Sequence, residues 1–180
     1  MKVYEQKKYC SGCGACADIC AKKAITLEPD EYGFYYPVVN EEECVSCGLC
    51  KKVCGFYKEY NGQACINAVA IAASNKDTLL HSASGGAFYI IAKTFIQNGG
   101  MVFGSAMEVV DGSLEVKHIG VDRVENLWKL QGSKYVQSKT EGCFRDIKKF
   151  LKNGTTILFS GTPCQVANLY SYLDGRNLER

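Results

Sequence analysis

The spacing of hydrophobic and polar positions changes character partway along the chain. Up to residue 58 the apolar residues are short and scattered. Ile25 and Leu27 alternate with polar neighbours, Glu28-Pro29-Asp30-Glu31-Tyr32-Gly33 supplies turn chemistry, and Phe34 to Val39 extends again. That pattern predicts a hairpin. From residue 65 onward the apolar runs lengthen. Cys65, Ile66 and residues 68–72 read as a strand, or as a helix if the alanines decide.

Phe88, Ile90, Ile91, Phe95 and Ile96 then recur at helical spacing, with Ser84 as an N-cap and Gly99-Gly100 as a stop. Strands are predicted over residues 101–107 and 115–121. Asp122-Arg123-Val124-Glu125 reads as a capping box opening a helix with Leu127 and Leu130 inward. After a loop over residues 132–137, Thr140 introduces a helix that buries Phe144, Ile147, Phe150 and Leu151 and ends near Asn153-Gly154. An apolar, buried strand over residues 156–160 leads into a last helix. There Thr162 is the N-cap, Pro163 the first helical residue and Gln165 the partner in a capping box, and the helix ends near Asp174-Gly175.

Tyr60-Asn61-Gly62-Gln63 marks a boundary. The predicted organisation is a small α+β module over residues 1–58, a linker and first strand over 59–78, and an α/β domain with a mixed sheet over 79–180.

Composition narrows the function. The 180 residues carry 21 Lys and Arg against 19 Asp and Glu, a net charge of +2 with no basic run, which argues against a nucleic-acid partner. Met1 to Glu5 is followed by polar and charged residues, not by the apolar core of a signal peptide, and no stretch has the length of a membrane span. The expected location is the cytoplasm, in an anaerobic cell.

The 11 cysteines decide the chemistry. Eight fall in two copies of one pattern, Cys10-x-x-Cys13-x-x-Cys16-x-x-x-Cys20 and Cys44-x-x-Cys47-x-x-Cys50-x-x-x-Cys54. The odd total and the missing signal peptide count against a disulfide scaffold. Triplets, where paired zinc sites use C-x-x-C doublets, count against zinc. Three cysteines at this spacing can wrap a loop around a cubane iron–sulfur cluster and bind three irons, leaving the fourth for a thiolate from elsewhere. Gly12, Gly14 and Gly48 allow the tight loops, and short helical turns over 17–21 and 51–54 carry the distal cysteines. Tyr9, Phe34, Tyr36 and Phe56 are read as packing over the clusters.

The octet resembles that of bacterial two-cluster ferredoxins, in which the fourth ligand comes from the other repeat. The resemblance implies one 4Fe-4S cluster on Cys10, Cys13, Cys16 and Cys54, and a second on Cys44, Cys47, Cys50 and Cys20. One departure stands out: the usual proline after each distal cysteine is replaced by Ala21 and Gly55.

Candidate chemistry in the second half is sparser. Ser84-Gly85-Gly86 and Gly161-Thr162-Pro163-Cys164 both open helices, where free N–H groups suit a phosphate or flavin edge. Cys164 is either a flavin or cluster contact or a structural residue. Lys134 and Tyr135 either meet a phosphate or flavin edge or are a solvated lysine and a packed tyrosine. Cys65 and Cys143 read as small buried apolar residues. His81 and His118 carry no spacing signal. Arg145, Lys148, Lys149 and Lys152 form a solvated face.

Ser82-Ala83-Ser84-Gly85-Gly86-Ala87, residues 132–138 (Gly-Ser-Lys-Tyr-Val-Gln-Ser) and residues 159–165 (Phe-Ser-Gly-Thr-Pro-Cys-Gln) resemble, in order and spacing, the N-terminal portion of the coenzyme F(420) hydrogenase/dehydrogenase beta subunit family. The resemblance implies an iron–sulfur flavoprotein, with FAD, passing electrons between two 4Fe-4S clusters and a flavin or deazaflavin two-electron carrier. Its implied partner is a ferredoxin, or a hydrogenase or dehydrogenase subunit. Members of that family run on past the Gly-Thr-Pro-Cys motif into a further domain, so the resemblance also implies a truncated product or a fragment. The alternative is a non-catalytic electron-transfer protein or subunit without flavin.

Overall fold

A computed structural model describes residues 3–58 and 65–173. The predicted boundary at Tyr60-Asn61-Gly62-Gln63 and helix end at Asp174-Gly175 lie outside the described residues. The chain forms two compact units, and each is discontinuous in sequence.

The first unit contains described residues 3–58, 139–152 and 161–173. Its elements are α1 (Ala15–Ile19), β1 (Ile25–Pro29), β2 (Tyr35–Val39) and α2 (Leu49–Lys52), followed much later in the chain by two further helices. β1 and β2 pair antiparallel from Ile25 opposite Val39 to Pro29 opposite Tyr35, as the hairpin pattern predicts. The turn is closed by Asp30, whose Oδ1 accepts the N–H groups of Tyr32 and Phe34 at 3.0 and 2.9 Å.

α1 and α2 begin two residues earlier than expected, because Gly14 and Gly48 are their left-handed N-caps, each at φ 75°. The apolar core here is thin: Val3, Cys16 and Ile25, with Tyr4, Ala17, Cys20, Val39 and Cys50 packed against them. Cysteines form a large part of it, so metal held by them would contribute directly to the folding of this unit.

The second unit contains described residues 65–138 and 153–160. α3 (Lys76–Leu80) precedes α4 (Ala87–Gln97), then come β3 (Met101–Val110), β4 (Ser113–Val121) and a 3₁₀ segment over Val124–Leu130. The two helices that complete the first unit are α5 (Cys143–Lys152) and α6 (Pro163–Tyr172), and the short strand β5 (Ile157–Phe159) of the second unit falls between them in chain order. The sheet order is β4-β3-β5, with β4 antiparallel and β5 parallel to β3, which gives the mixed sheet expected. The β3–β4 hairpin turns on Asp111 and Gly112, both left-handed at φ 50° and 78°.

Ala92 and Ile96 of α4, Val102 and Ala106 of β3, Val121, Leu127 and Leu130 form the core of the second unit. Of the residues whose helical spacing predicts α4, Ile96 joins this core and Phe88 and Phe95 pack against it, whereas Ile90 and Ile91 are exposed.

Several expectations need correction. Residues 65–73 form neither strand nor helix: Ile66 is fully exposed and Val69 74% exposed, and the backbone bond seen here runs from Ala73 N–H to the Gly85 carbonyl. Without a neighbouring strand an apolar run has no ladder to join. The N-cap of α4 is Gly86 at φ 78°, not Ser84, and it has no side-chain cap bond. The segment at Val124 is 3₁₀ and lacks the capping box, although Leu127 and Leu130 are buried as predicted. β5 is half-buried and spans only Ile157–Phe159.

The expected cut at residue 79 also differs from the compact units, since residues 139–152 and 161–173 belong with the cysteine-rich segment. The physical cause is a set of polar ties. Asp18 Oδ1 accepts the Gly142 N–H at 2.6 Å, and its Oδ2 accepts those of Phe144 and Arg145 at 3.0 and 3.2 Å. Thr140 Oγ1 donates to the Cys13 carbonyl at 2.6 Å, and the Leu27 N–H donates to Glu141 Oε1 at 3.1 Å. Phe144 and Ile147 bury the apolar face of α5, with Phe150 and Leu151 only half-buried. Arg145, Lys149 and Lys152 face solvent, but Lys148 is half-buried, its Nζ 5.1 Å from the Tyr172 ring centroid.

Candidate metal centre

Each cysteine loop repeats one backbone pattern. In the first, Gly12 and Gly14 are left-handed at φ 61° and 75°; in the second, Ser46 and Gly48 take the same places at 53° and 75°. The left-handed residues turn each chain back so that three thiols in succession face one interior, and a short helix then carries the chain to the distal cysteine.

The distal cysteines cross over. One cavity is lined by Cys10, Cys13, Cys16 and Cys54, with Tyr9, Pro37, Phe56 and Asn168 in its wall. The other is lined by Cys20, Cys44, Cys47 and Cys50, with Ile25, Val45 and Leu49. Cys16 is buried, whereas Cys47 is exposed, so the second cavity is nearer solvent. Of the aromatics expected as packing, Tyr9 and Phe56 line the first cavity with ring centroids 5.4 Å apart. Phe34 is 52% exposed and Tyr36 stands against Tyr4, so neither lines a cysteine cavity.

The electrostatics suit a metal-bound state. Burial pushes the Cys13 thiol up to about 12, with repulsion from Cys54 and Cys10 adding to it and the Ala15 N–H only partly opposing it. Cys16 is raised by burial and then by Cys13 and Cys10; Cys10 is raised by burial and by Cys54. In the second cavity Cys50 is raised by burial and by Cys47 and Cys44. Four thiolates this close repel one another unless cations lie among them, and iron supplies that charge. Among the described residues no three His, Cys, Asp or Glu side chains converge on a single metal ion. Each set of four thiols instead lines one cavity, of about 30 Å³ for the first set and about 230 Å³ for the second.

The remaining site candidates divide between the units. Ser84, Gly85 and Gly86 line a cavity of about 490 Å³ together with Ile71, Gly132, Ser133 and Ser160. Gly85 is needed for packing in any case, because a Cβ there would collide with the Ile71 carbonyl. Lys134 and Tyr135 do not line it. Lys134 Nζ donates to the carbonyls of Lys129 and Gln131 at 3.1 and 2.7 Å, capping the 3₁₀ segment, and Tyr135 is 94% exposed. Gly161, Thr162, Pro163 and Cys164 open α6 in the first unit. There the Thr162 N–H donates to Gln165 Oε1 at 2.9 Å, and the exposed Cys164 has its Sγ 3.1 Å from Thr162 Oγ1. Cys143 is buried as expected, but Cys65 is exposed, a correction that follows from the unpaired state of residues 65–73.

Three residues carry structural work that sequence reasoning missed. Asp18 and Asn168 have partners more than a hundred positions away, so no local spacing announces them. His118 is buried, with Nδ1 2.7 Å from Ser138 Oγ and Nε2 3.1 Å from the Ser160 carbonyl. The carbonyl can only accept, so Nε2 carries the proton and Nδ1 accepts from Ser138.

Two left-handed cysteine loops with exchanged distal thiols define the class of two-cluster iron–sulfur electron carriers. Comparison with known proteins agrees. Residues 9–56 match the 4Fe-4S dicluster domain. An uncharacterized ferredoxin of Methanocaldococcus jannaschii is 33% identical over 54 residues, covering 30% of this chain and 69% of that protein. Through its N-terminal segment the chain belongs to this ferredoxin family. Among the described residues no helix is long and apolar enough to cross a membrane.

Proposed function

We propose that this chain is the electron port of an iron–sulfur oxidoreductase of the coenzyme F(420) hydrogenase/dehydrogenase beta subunit type, acting in the cytoplasm with a ferredoxin or with a hydrogenase or dehydrogenase subunit. Cys10, Cys13, Cys16 and Cys54 would hold one 4Fe-4S cluster, and Cys20, Cys44, Cys47 and Cys50 the other. The observation that carries the reading is the exchange of Cys20 and Cys54 between the two cavities. When bound, the clusters supply one-electron transfer. The chain's own part is to fix the thiols, exclude water around the first cavity with Tyr9, Pro37 and Phe56, and leave the second nearer solvent, where exposed Cys47 favours exchange with a partner.

FAD is assigned to the cavity bounded by Ser84, Gly85, Gly86, Gly132 and Ser133. Its volume of about 490 Å³ falls in the range of about 300–1,000 Å³ usual for small-molecule sites. Its serine hydroxyls suit phosphate or ring-edge oxygens. A flavin there would exchange electron pairs with a deazaflavin-type carrier and single electrons with the clusters.

A second reading, a non-catalytic electron carrier without flavin, is favoured by the ferredoxin relative, whose likeness spans 54 residues, 30% of this chain, and by the dicluster match over residues 9–56. Anaerobic purification and reconstitution with iron and sulfide separate the two. About eight irons with released flavin support the oxidoreductase, and about eight irons without flavin support the carrier. Fewer than about four would sink the two-cluster assignment.

A further inference from the structure

Asn168 lies in the wall of the first cysteine cavity and is only 5% exposed. Both ends of its amide are engaged with backbone. Oδ1 accepts the Gly55 N–H at 2.8 Å, and Nδ2 donates to the Cys164 carbonyl at 2.7 Å, one turn back on its own helix. An N–H on one side and a carbonyl on the other permit only this orientation of the amide. The side chain is therefore locked by α6 before it meets Gly55.

Gly55 directly follows Cys54, the one thiol of that cavity that does not come from the first loop. The other three are tied together by a short stretch of chain, whereas Cys54 arrives from the second repeat and depends on its own backbone being held. Proline, which follows the distal cysteine in bacterial two-cluster runs, has no N–H and could not make the bond to Asn168. The departure from proline at residue 55 thus has a physical reason here: the N–H is in use.

We infer that Asn168 is a positioning residue for the cluster of the first cavity, holding the Cys54 ligand in place through the peptide of Gly55. This rests on the two-cluster ligand assignment above. Groups that orient a metal ligand from behind typically matter by about 10–100-fold in metal retention when removed. The effect should also be local. Asn168 is not among the residues lining the second cavity, so the cluster there serves as an internal control in the same folded unit.

The test uses the full chain, reconstituted without oxygen, with an iron chelator as probe and low-temperature electron paramagnetic resonance to tell the two clusters apart. In Asn168→Leu, which keeps the volume and removes both polar ends, iron of the first-cavity cluster should leave about 10–100-fold faster. The second cluster should keep its rate and its reduction potential, while the potential of the first shifts. Gly55→Pro should reproduce the result from the other side of the bond. Asn168→Asp, which keeps an acceptor for the Gly55 N–H, should restore most of the retention. Unchanged release in Asn168→Leu, or equal acceleration at both clusters, would overturn the inference. Fewer than about four irons in the unsubstituted protein would overturn the ligand assignment instead, a separate failure seen in a separate sample.

Discussion

Gly14 and Gly48 occupy equivalent places in the two loops, yet replacing them should not cost the same. Both are left-handed, so an alanine at either meets the strain of that region, about 1–2 kcal/mol. At Gly48 nothing else lies within 4 Å of the new Cβ. At Gly14 it falls 3.0 Å from Thr140 Oγ1, the hydroxyl bonded to the Cys13 carbonyl. Disturbing that bond adds about 1 kcal/mol. Chemical denaturation of the reconstituted protein should therefore find Gly14→Ala the more damaging; equal losses would show that the Thr140 contact yields freely. By the same reasoning Ser46→Gly should stabilise the second loop by about 1 kcal/mol, because Ser46 bears at φ 53° a conformation that Gly12 adopts freely. The glycines were legible in the sequence, since tight cysteine loops demand them. That Ser46 shares their conformation was not, because serine does not advertise a left-handed backbone.

Helices and strands were legible where the spacing of apolar residues and the burial agree, as in β3 and at Ile96 of α4 and Phe144 and Ile147 of α5. They were misread where an element needed a distant partner. Residues 65–73 have the composition of a strand without a ladder. α5 was legible as a helix, but the Asp18 carboxylate on α1 that accepts its N-terminal amides was not. Asp18→Ala should remove the acceptor of three amide hydrogen bonds and cost about 1–3 kcal/mol. Hydrogen exchange should speed up at Gly142, Phe144 and Arg145 and leave β3 and β4 unchanged.

The mixed sheet offers a pH test. Burial holds the His118 imidazole below its ordinary value despite the Ser160 carbonyl, which opposes it. As pH falls through the ordinary histidine range near about 6.5, the unfolded chain takes up a proton that the folded unit resists. Stability of the second unit should accordingly fall with acidification from about 6.5 downward, and be flat above it as far as this group is concerned. Thermal melts of His118→Gln should lose that part of the slope; an unchanged slope would assign it to other groups.

At the scale of the whole molecule, the two compact units predict a split response to iron removal. The first unit has cysteines in its core and includes α5 and α6, whereas the second has an apolar core of its own. Chelation should therefore raise hydrogen exchange in α5 and α6 together with the cysteine loops, while β3, β4 and α4 keep their protection. Loss of protection throughout would contradict this independence. The cysteine pattern announced the first module, but not that its chain includes residues 139–152 and 161–173, because the polar ties that recruit them join residues remote in sequence.

The chain leaves the first unit to build the second and returns to it twice, and this matters while the protein is being made. The Cys13 carbonyl waits for Thr140, and Gly55 waits for Asn168, separations of 127 and 113 residues. At synthesis rates of about 5–20 residues per second, both cysteine loops leave the ribosome on the order of ten seconds before their braces do. During that interval eight thiols are available to the machinery that delivers iron and sulfide, and equally to oxidants.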